Sequence, residues 1–255
     1  MVDIQIKDRI AYLILNRPEK RNALDDTMAA SILEALNRLS SDDECKVLVI
    51  KGNGEAFCAG ADLAYLQKLQ ANSYEQNLQD STALMKMFKA LYEFPKITIS
   101  QVEGPALAGG CGLAGLCDFS FATPESKFGY TEVKIGFIPA IVSVFLAPKI
   151  GENNARYLLL TGSVLNATEA KQMGLVNELV DADNIATYVN DFASKLVKGV
   201  SSQSVQLTKK LLIDLQGKSL EDKLNTAAAA NAGARASEDC KKGIAAFLNK
   251  EAIVW

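Results

Sequence analysis

Two runs of small side chains and one glutamate have the residue types and setting for chemistry. Cys58-Ala59-Gly60-Ala61-Asp62 and Ala106-Leu107-Ala108-Gly109-Gly110-Cys111-Gly112 each stand between a strand pattern and a helix pattern. Small residues let backbone N–H groups approach a ligand closely, and a helix N-terminus adds partial positive charge. Two such loops facing each other could hold a developing oxyanion. Close packing of helix on strand asks for the same residues, so that reading stands beside the functional one. Glu132 lies in Phe128-Gly129-Tyr130-Thr131-Glu132-Val133-Lys134-Ile135-Gly136-Phe137-Ile138-Pro139, among aromatic and apolar neighbours. Burial there would raise its pKa and suit it to move protons, whereas pairing with Lys134 on a solvated edge would leave it inert.

The chain contains no histidine. That excludes His-ligated zinc, Ser-His-Asp and Cys-His pairs, and imidazole acid/base work, which leaves proton chemistry to carboxylates, lysine, tyrosine or cysteine. Gly110-Cys111-Gly112-Leu113-Ala114-Gly115 matches G-x-G-x-x-G, with Glu132 about twenty residues on. A dinucleotide fingerprint belongs in a tight turn directly after a strand. Here residues 104–109 intervene, and the glycines fall in a stretch that reads as the helix itself. Asp42-Asp43-Glu44 reads as a solvated turn because no further metal ligands stand at suitable spacing. Lys20-Arg21-Asn22 reads by default as a solvated surface turn, in a loop that could also meet phosphates.

Lys and Arg total 27 against 30 Asp and Glu, a net charge of −3, so no basic field exists to collect nucleic acid or an anionic membrane. Five cysteines, odd in number and without a C-x-x-C pair, fit a reducing compartment. The longest uncharged runs, 104–117 and 135–148, are too short to span a bilayer. A cytoplasmic location is the expectation.

The elements that must position these residues follow from periodicity. Residues 2–7 and 9–15 read as a hairpin around Asp8 that ends at Asn16-Arg17-Pro18. The spacing of Met28, Ile32, Leu33, Leu36 and Leu39 is helical, and 46–50 is a buried strand stopping at Gly52-Asn53-Gly54. Asp62 can cap a short helix. Leu78, Met85, Phe88 and Tyr92 mark a longer one ending before Pro95, followed by a strand at 97–102. A strand at 119–122 and a strand or turn around Phe128 come next. A helix at 153–160, a short helix capped by Thr168 and closed by Gly174, and a last strand at 175–180 complete the alternation. From 184 onward only helical patterns remain, at 184–198, 203–216, 220–236 and 238–250. The expectation is one α/β core over 1–198 with a helical region over 199–255.

Taken in order, several segments resemble the crotonase superfamily, the enoyl-CoA hydratase/isomerase family. They are Asn16 through Leu24, Ala56-Phe57-Cys58-Ala59-Gly60-Ala61-Asp62-Leu63, Gly104 through Cys111, Phe128 through Pro139, Leu160-Thr161-Gly162, residues 167–176, and Gly243-Ile244-Ala245-Ala246-Phe247-Leu248. The resemblance covers nearly the whole chain. It implies a spiral of strand-strand-helix turns, a C-terminal helical region that builds homotrimers or hexamers, and acyl-CoA thioester substrates with no separate cofactor or metal. It also implies that the N–H groups of Ala61 and Gly109 form an oxyanion hole, with Glu132 as acid/base and Asp62 capping the helix after the first loop. Lys20, Arg21 and Ala23 would line the CoA nucleotide. Ala59, Leu63, Leu107, Gly110 and Pro139 would line the substrate, and Phe247 and Lys250 would approach the adenine or phosphates of a neighbouring subunit. Hydratases of the family with two glutamates carry the second three residues after the oxyanion-hole glycine, where this chain has Gly112. A lone glutamate resembles the 3-enoyl to 2-enoyl isomerases, whereas the stretch Glu132 through Gly151 resembles a bacterial branch grouped with hydratases; the resemblance implies a hydratase-type lyase, with the isomerase and a silent acyl-CoA-binding protein as alternatives. Branches that rely on histidine are excluded.

Overall fold

The computed structural model describes all 255 residues. Nine strands and eleven α-helices follow in chain order: β1 Val2–Lys7, β2 Ile10–Leu15, α1 Asp26–Ser41, β3 Val47–Gly52, α2 Leu63–Leu69, α3 Tyr74–Tyr92 and β4 Ile97–Val102. Next are β5 Pro105–Leu107, α4 Gly109–Leu116, β6 Phe119–Ala122, β7 Lys127–Gly129, α5 Ala140–Ile150, α6 Glu152–Thr161, β8 Val164–Asn166, α7 Ala167–Gln172 and β9 Glu178–Leu179. Helices α8 Ala182–Gly199, α9 Ser202–Asp214, α10 Leu220–Arg235 and α11 Glu238–Asn249 end the chain.

The strands form two layers. One sheet has the order β1-β2-β3-β4-β6-β9, parallel except for the β1–β2 hairpin, and the other has the order β5-β7-β8. Isolated parallel bridges, Leu24 to Ala61 and Cys58 to Ala106, extend the second layer back toward the N-terminus. Each turn of the chain thus lays one strand in the first sheet and a shorter extended piece in the second, then crosses back by a helix. That is a spiral of strand-strand-helix turns. Parallel strands covered on both faces read as continuous apolar runs, which is why β3 and β4 are buried along nearly their whole length.

Two cores result. The larger lies between the layers and under α1, α3 and α4, with Phe57, Phe88, Phe94 and Phe128 at its centre. In the smaller, Ile185, Val189, Ala193 and Val197 of α8 pack against Ile10, Val47, Val49 and Ile99 on the other face of the first sheet. Their spacing of about one helical turn gives α8 a single apolar stripe. Helices α9, α10 and α11 are different, since only Ala246 among them is buried.

Several local expectations need correction. Asn166, not Thr168, caps α7: its side chain accepts from the Glu169 N–H while the Glu169 carboxylate accepts from the Asn166 N–H. This reciprocal pair satisfies two donors, where a threonine one step inside the helix satisfies none. The last strand shrinks to Glu178–Leu179, because the backbone from Met173 to Val176 is spent closing α7. The strand expected at 46–50 runs from Val47 to Gly52. Strands β5 and β8 are too short to show a period, and α5 is apolar on every side, with Pro148 inside it, so neither periodicity nor capping marks it.

Candidate active site

The two small-residue loops meet. A Cβ on Gly60 would lie 2.9 Å from the Ala108 Cβ and 3.0 Å from the Leu107 carbonyl oxygen, so the loops touch at this glycine and no side chain fits between them. The next residue of each loop is Ala61 and Gly109. Neither of their N–H groups donates to any group of the chain.

The direction of each N–H follows from the planarity of the peptide. The Gly60 carbonyl accepts from the Leu24 N–H at 2.6 Å, so the Ala61 N–H in the same plane points the opposite way. The Ala108 carbonyl accepts from the Gly112 N–H at 3.1 Å as the first bond of α4, which turns the Gly109 N–H out of the helix end. Ala108 holds φ 48° and ψ −123°, a conformation L side chains rarely adopt. Such strain persists only where the surroundings impose it. Here the Ala108 N–H donates to the Gly129 carbonyl at 2.7 Å, and Gly110 lies where a Cβ would be 2.2 Å from the Cys58 carbonyl oxygen.

The anchor at Gly129 also brings in the glutamate. Three residues after it, Glu132 opens a short 3₁₀ turn, Glu132–Ile135, closed by the Phe137 N–H donating to the Glu132 carbonyl at 3.0 Å. Its Oε2 is buried with no hydrogen-bond partner, and no ion pair forms with Lys134. Burial pushes the Glu132 carboxyl above the usual glutamate range. Its charge is felt by Cys111, whose thiol burial pushes up to about 12, and by the buried Tyr130. A buried carboxylate oxygen without a partner costs stability, which argues against a merely structural role.

Asp62 caps α2 by accepting from the Ala64 N–H at 2.8 Å and the Tyr65 N–H at 3.1 Å. Burial alone would raise its carboxyl; those two N–H groups with Arg17 and Lys20 hold it below its ordinary range. Arg17 reaches Asp62 at 2.9 Å and Asp25, the cap of α1, at 2.6 Å. Periodicity marks Arg17 as the end of a strand, and the resemblance includes it in the Asn16 to Leu24 segment without giving it a role. Sequence reasoning likewise left Asn22 in a solvated loop, yet Asn22 is fully buried, accepting from the Arg17 N–H and donating to the carbonyls of Asn53 and Ala56.

At Gly112 the space a side chain would need is filled. A Cβ there would lie 2.5 Å from Val142 Cγ1 and 3.1 Å from Phe88 Cε1. The glycines of the G-x-G-x-x-G match lie inside α4 and face Cys58, Val142 and Leu175, so they serve close packing and not a phosphate turn. Asp42-Asp43-Glu44 is a turn in which the Glu44 N–H donates to Asp42.

The remaining expected positions divide. Ala23 is buried beside the Leu24 bridge; Lys20 and Arg21 are exposed on the same loop, with the Arg21 carbonyl accepting from the Ala59 N–H at 3.0 Å. Leu63 stands 82% exposed at the start of α2, Leu107 donates its N–H to Cys58, and Pro139 starts α5. Leu63 and Leu107 adjoin the two donor loops, Pro139 follows the Glu132 turn, and the Lys20–Ala23 loop joins the first donor loop through the Ala59 N–H and the Leu24 bridge. Phe247 on α11 and Lys250 at its C-terminal cap stand apart, on a helix that packs on α9 and α10.

Comparison with known proteins identifies the family. The family model described as Enoyl-CoA hydratase/isomerase matches residues 5–255. The chain belongs to the enoyl-CoA hydratase/isomerase family, within the crotonase superfamily. A protein of Thermus thermophilus is 44% identical over 250 residues, 98% of each chain. A crotonyl-CoA hydratase of Syntrophomonas wolfei is 33% identical over 97% of this chain and 94% of that one. Among solved structures, an enoyl-CoA hydratase from Shewanella pealeana superposes with a TM-score of 0.94 at 30% identity, covering all of this chain and 95% of its own.

Proposed function

We propose that the protein adds water to, or removes it from, a 2-enoyl-CoA thioester. The N–H groups of Ala61 and Gly109 hold the thioester oxygen, and Glu132 moves the proton. A thioester enolate concentrates negative charge on one oxygen, and two preorganised donors that cost no reorganisation stabilise it; losing one such donor typically costs about 10²–10³ in rate. The observation that carries the reading is the pair of unengaged N–H groups at two touching loops, with a buried, unpartnered carboxylate oxygen three residues from the anchor of the second. The named activity of the Syntrophomonas wolfei relative supports hydration. Leu63, Ile135, Phe137 and Ile138, exposed directly after Asp62 and Glu132, suit an apolar acyl chain. The apolar side chains left open on α9 to α11, Leu212, Leu224, Ile244 and Leu248 among them, suit burial against further copies of the chain as a trimer or hexamer.

A second reading has its own support. With Val142 and Phe88 filling the room at Gly112 and the Asp62 carboxyl engaged by Arg17 and the cap of α2, Glu132 is left as the base, and one base suffices to carry a proton from the α to the γ carbon of a 3-enoyl-CoA. Incubation with crotonyl-CoA and with 3-hexenoyl-CoA, followed by thioester absorbance, separates the two. Loss of the conjugated absorbance of crotonyl-CoA supports hydration, its appearance from 3-hexenoyl-CoA supports isomerisation, and inertness toward both supports a silent acyl-CoA-binding protein.

A further inference from the structure

The Ala61 N–H is aimed by a single backbone bridge to Leu24, and one side chain grips the chain on both sides of that bridge. On the Leu24 strand, Arg17 donates through one guanidinium nitrogen to the Ala23 carbonyl at 3.4 Å and to Asp25 Oδ2 at 2.6 Å. On the Ala61 strand, its other terminal nitrogen pairs with Asp62 Oδ2 at 2.9 Å. Residues 23, 25 and 62 therefore flank both bridge partners. The bridge itself consists of the Leu24 N–H to Gly60 carbonyl bond at 2.6 Å and the Asp62 N–H to Leu24 carbonyl bond at 2.8 Å. Arg17 is only 17% exposed and Asp62 only 5%, so the pair is shielded from solvent screening. Helix α2, which follows Ala61, has no buried residue to hold it in place. The fork geometry of a guanidinium lets one residue satisfy two carboxylates in fixed directions, which an ammonium cannot.

We propose that Arg17 is a positioning residue for catalysis: by locking Asp62 to the Ala23–Asp25 segment, it fixes the Leu24 to Ala61 bridge and so the direction of the Ala61 N–H. This rests on the acyl-CoA reading, and the test keeps the two apart.

The readout is the infrared carbonyl stretch of crotonyl-CoA labelled with ¹³C at the thioester carbon, with kcat and KM measured alongside. In the native protein, binding moves the stretch to lower frequency as the oxygen is polarised. Arg17→Ala is expected to lose much of that displacement and to lower kcat by about 10- to 100-fold with KM within about threefold. Arg17→Lys, which keeps a charge for one of the two carboxylates and retains a readable protein should the alanine variant not fold, falls between. Arg17→Lys with Asp62→Asn is expected to be no slower than Asp62→Asn alone, since both act through one link. Asn166→Ala, which removes the α7 cap and lowers thermal stability away from the site, leaves kcat and the carbonyl frequency unchanged. A native carbonyl frequency in bound Arg17→Lys, or losses that multiply in the double variant, would overturn the assignment. Absence of any displacement and turnover in the native protein overturns the acyl-CoA reading itself, and the assignment with it.

Discussion

The two donor loops present one N–H each, but different physics holds them. The Ala61 loop is held by charge: Arg17 pairs Asp62, and Asp62 caps a helix with no buried residue. The Ala108–Gly109 loop is held by contact: Ala108 is strained at φ 48°, its N–H is tied to Gly129, and Gly110 presses its Cα face on the Cys58 carbonyl. The first sits on the exposed side of the spiral, where a helix cannot be fixed by packing. The second opens α4, whose residues Gly110 through Gly115 are all buried. A charged clamp suits the rim and a steric one suits the core, so the two loops should fail under different insults.

The largest effect is expected in the steric loop. Gly110→Ala places a methyl group against backbone 2.2 Å away, which cannot give without moving either loop. Activity toward the enoyl-CoA substrate is expected to fall by about 10²–10³, insensitive to salt and to pH between 5 and 8. In the charged loop, Asp62→Asn keeps the cap but loses the ion pair, and kcat is expected to fall by about tenfold. The pH dependence separates the loops further. The Asp62 carboxyl is held below its unfolded range, so the stability it contributes is fully present above about pH 4 and is lost as pH falls through the lowered folded value. Thermal melts of Asp62→Asn and native protein should therefore converge in acid, and a gap that stayed constant to low pH would contradict the charge clamp. The smallest effect belongs to Ala108→Gly. Relief of the positive φ outweighs the added backbone entropy, giving about 1 kcal/mol of stabilisation with kcat changed less than about threefold. A destabilised Ala108→Gly would mean that the backbone there is not strained.

Much of this site was legible in the residues themselves. The two small-residue runs, the cap at Asp62 and the apolar setting of Glu132 all show in local order, because each acts through its immediate neighbours. Arg17 did not show, since its partners Asp25 and Asp62 come together only after the chain has completed a turn of the spiral. Asn22 looked like a loop residue for the same reason: its acceptors are the carbonyls of Asn53 and Ala56, in the next turn. Only the family resemblance marks Gly112 as a missing glutamate, and what replaces it did not show. Val142 comes from α5, a helix without a polar face, and nothing in its sequence orients it toward α4. The framework strands β4 and β6 were read to the residue because burial on both faces makes them uniform, while β5 and β8 need their partners to exist at all.

Glu132 links both halves of the comparison, because it stands beyond the Gly129 anchor of the steric loop and would act on a carbon whose charge both loops stabilise. Its carboxyl pKa is raised, so the folded state binds a proton more tightly than the unfolded one. The native protein thereby loses stability as pH rises from the ordinary glutamate value through the raised one. Glu132→Gln is accordingly expected to melt about 2 °C higher than the native protein at pH 8 and to match it below pH 4. The most direct measurement is turnover and binding by that same variant. With crotonyl-CoA or 3-hexenoyl-CoA, whichever the native protein converts, Glu132→Gln should bind the thioester with native affinity and native carbonyl displacement while kcat falls by at least about 10². Native turnover by Glu132→Gln would contradict the account.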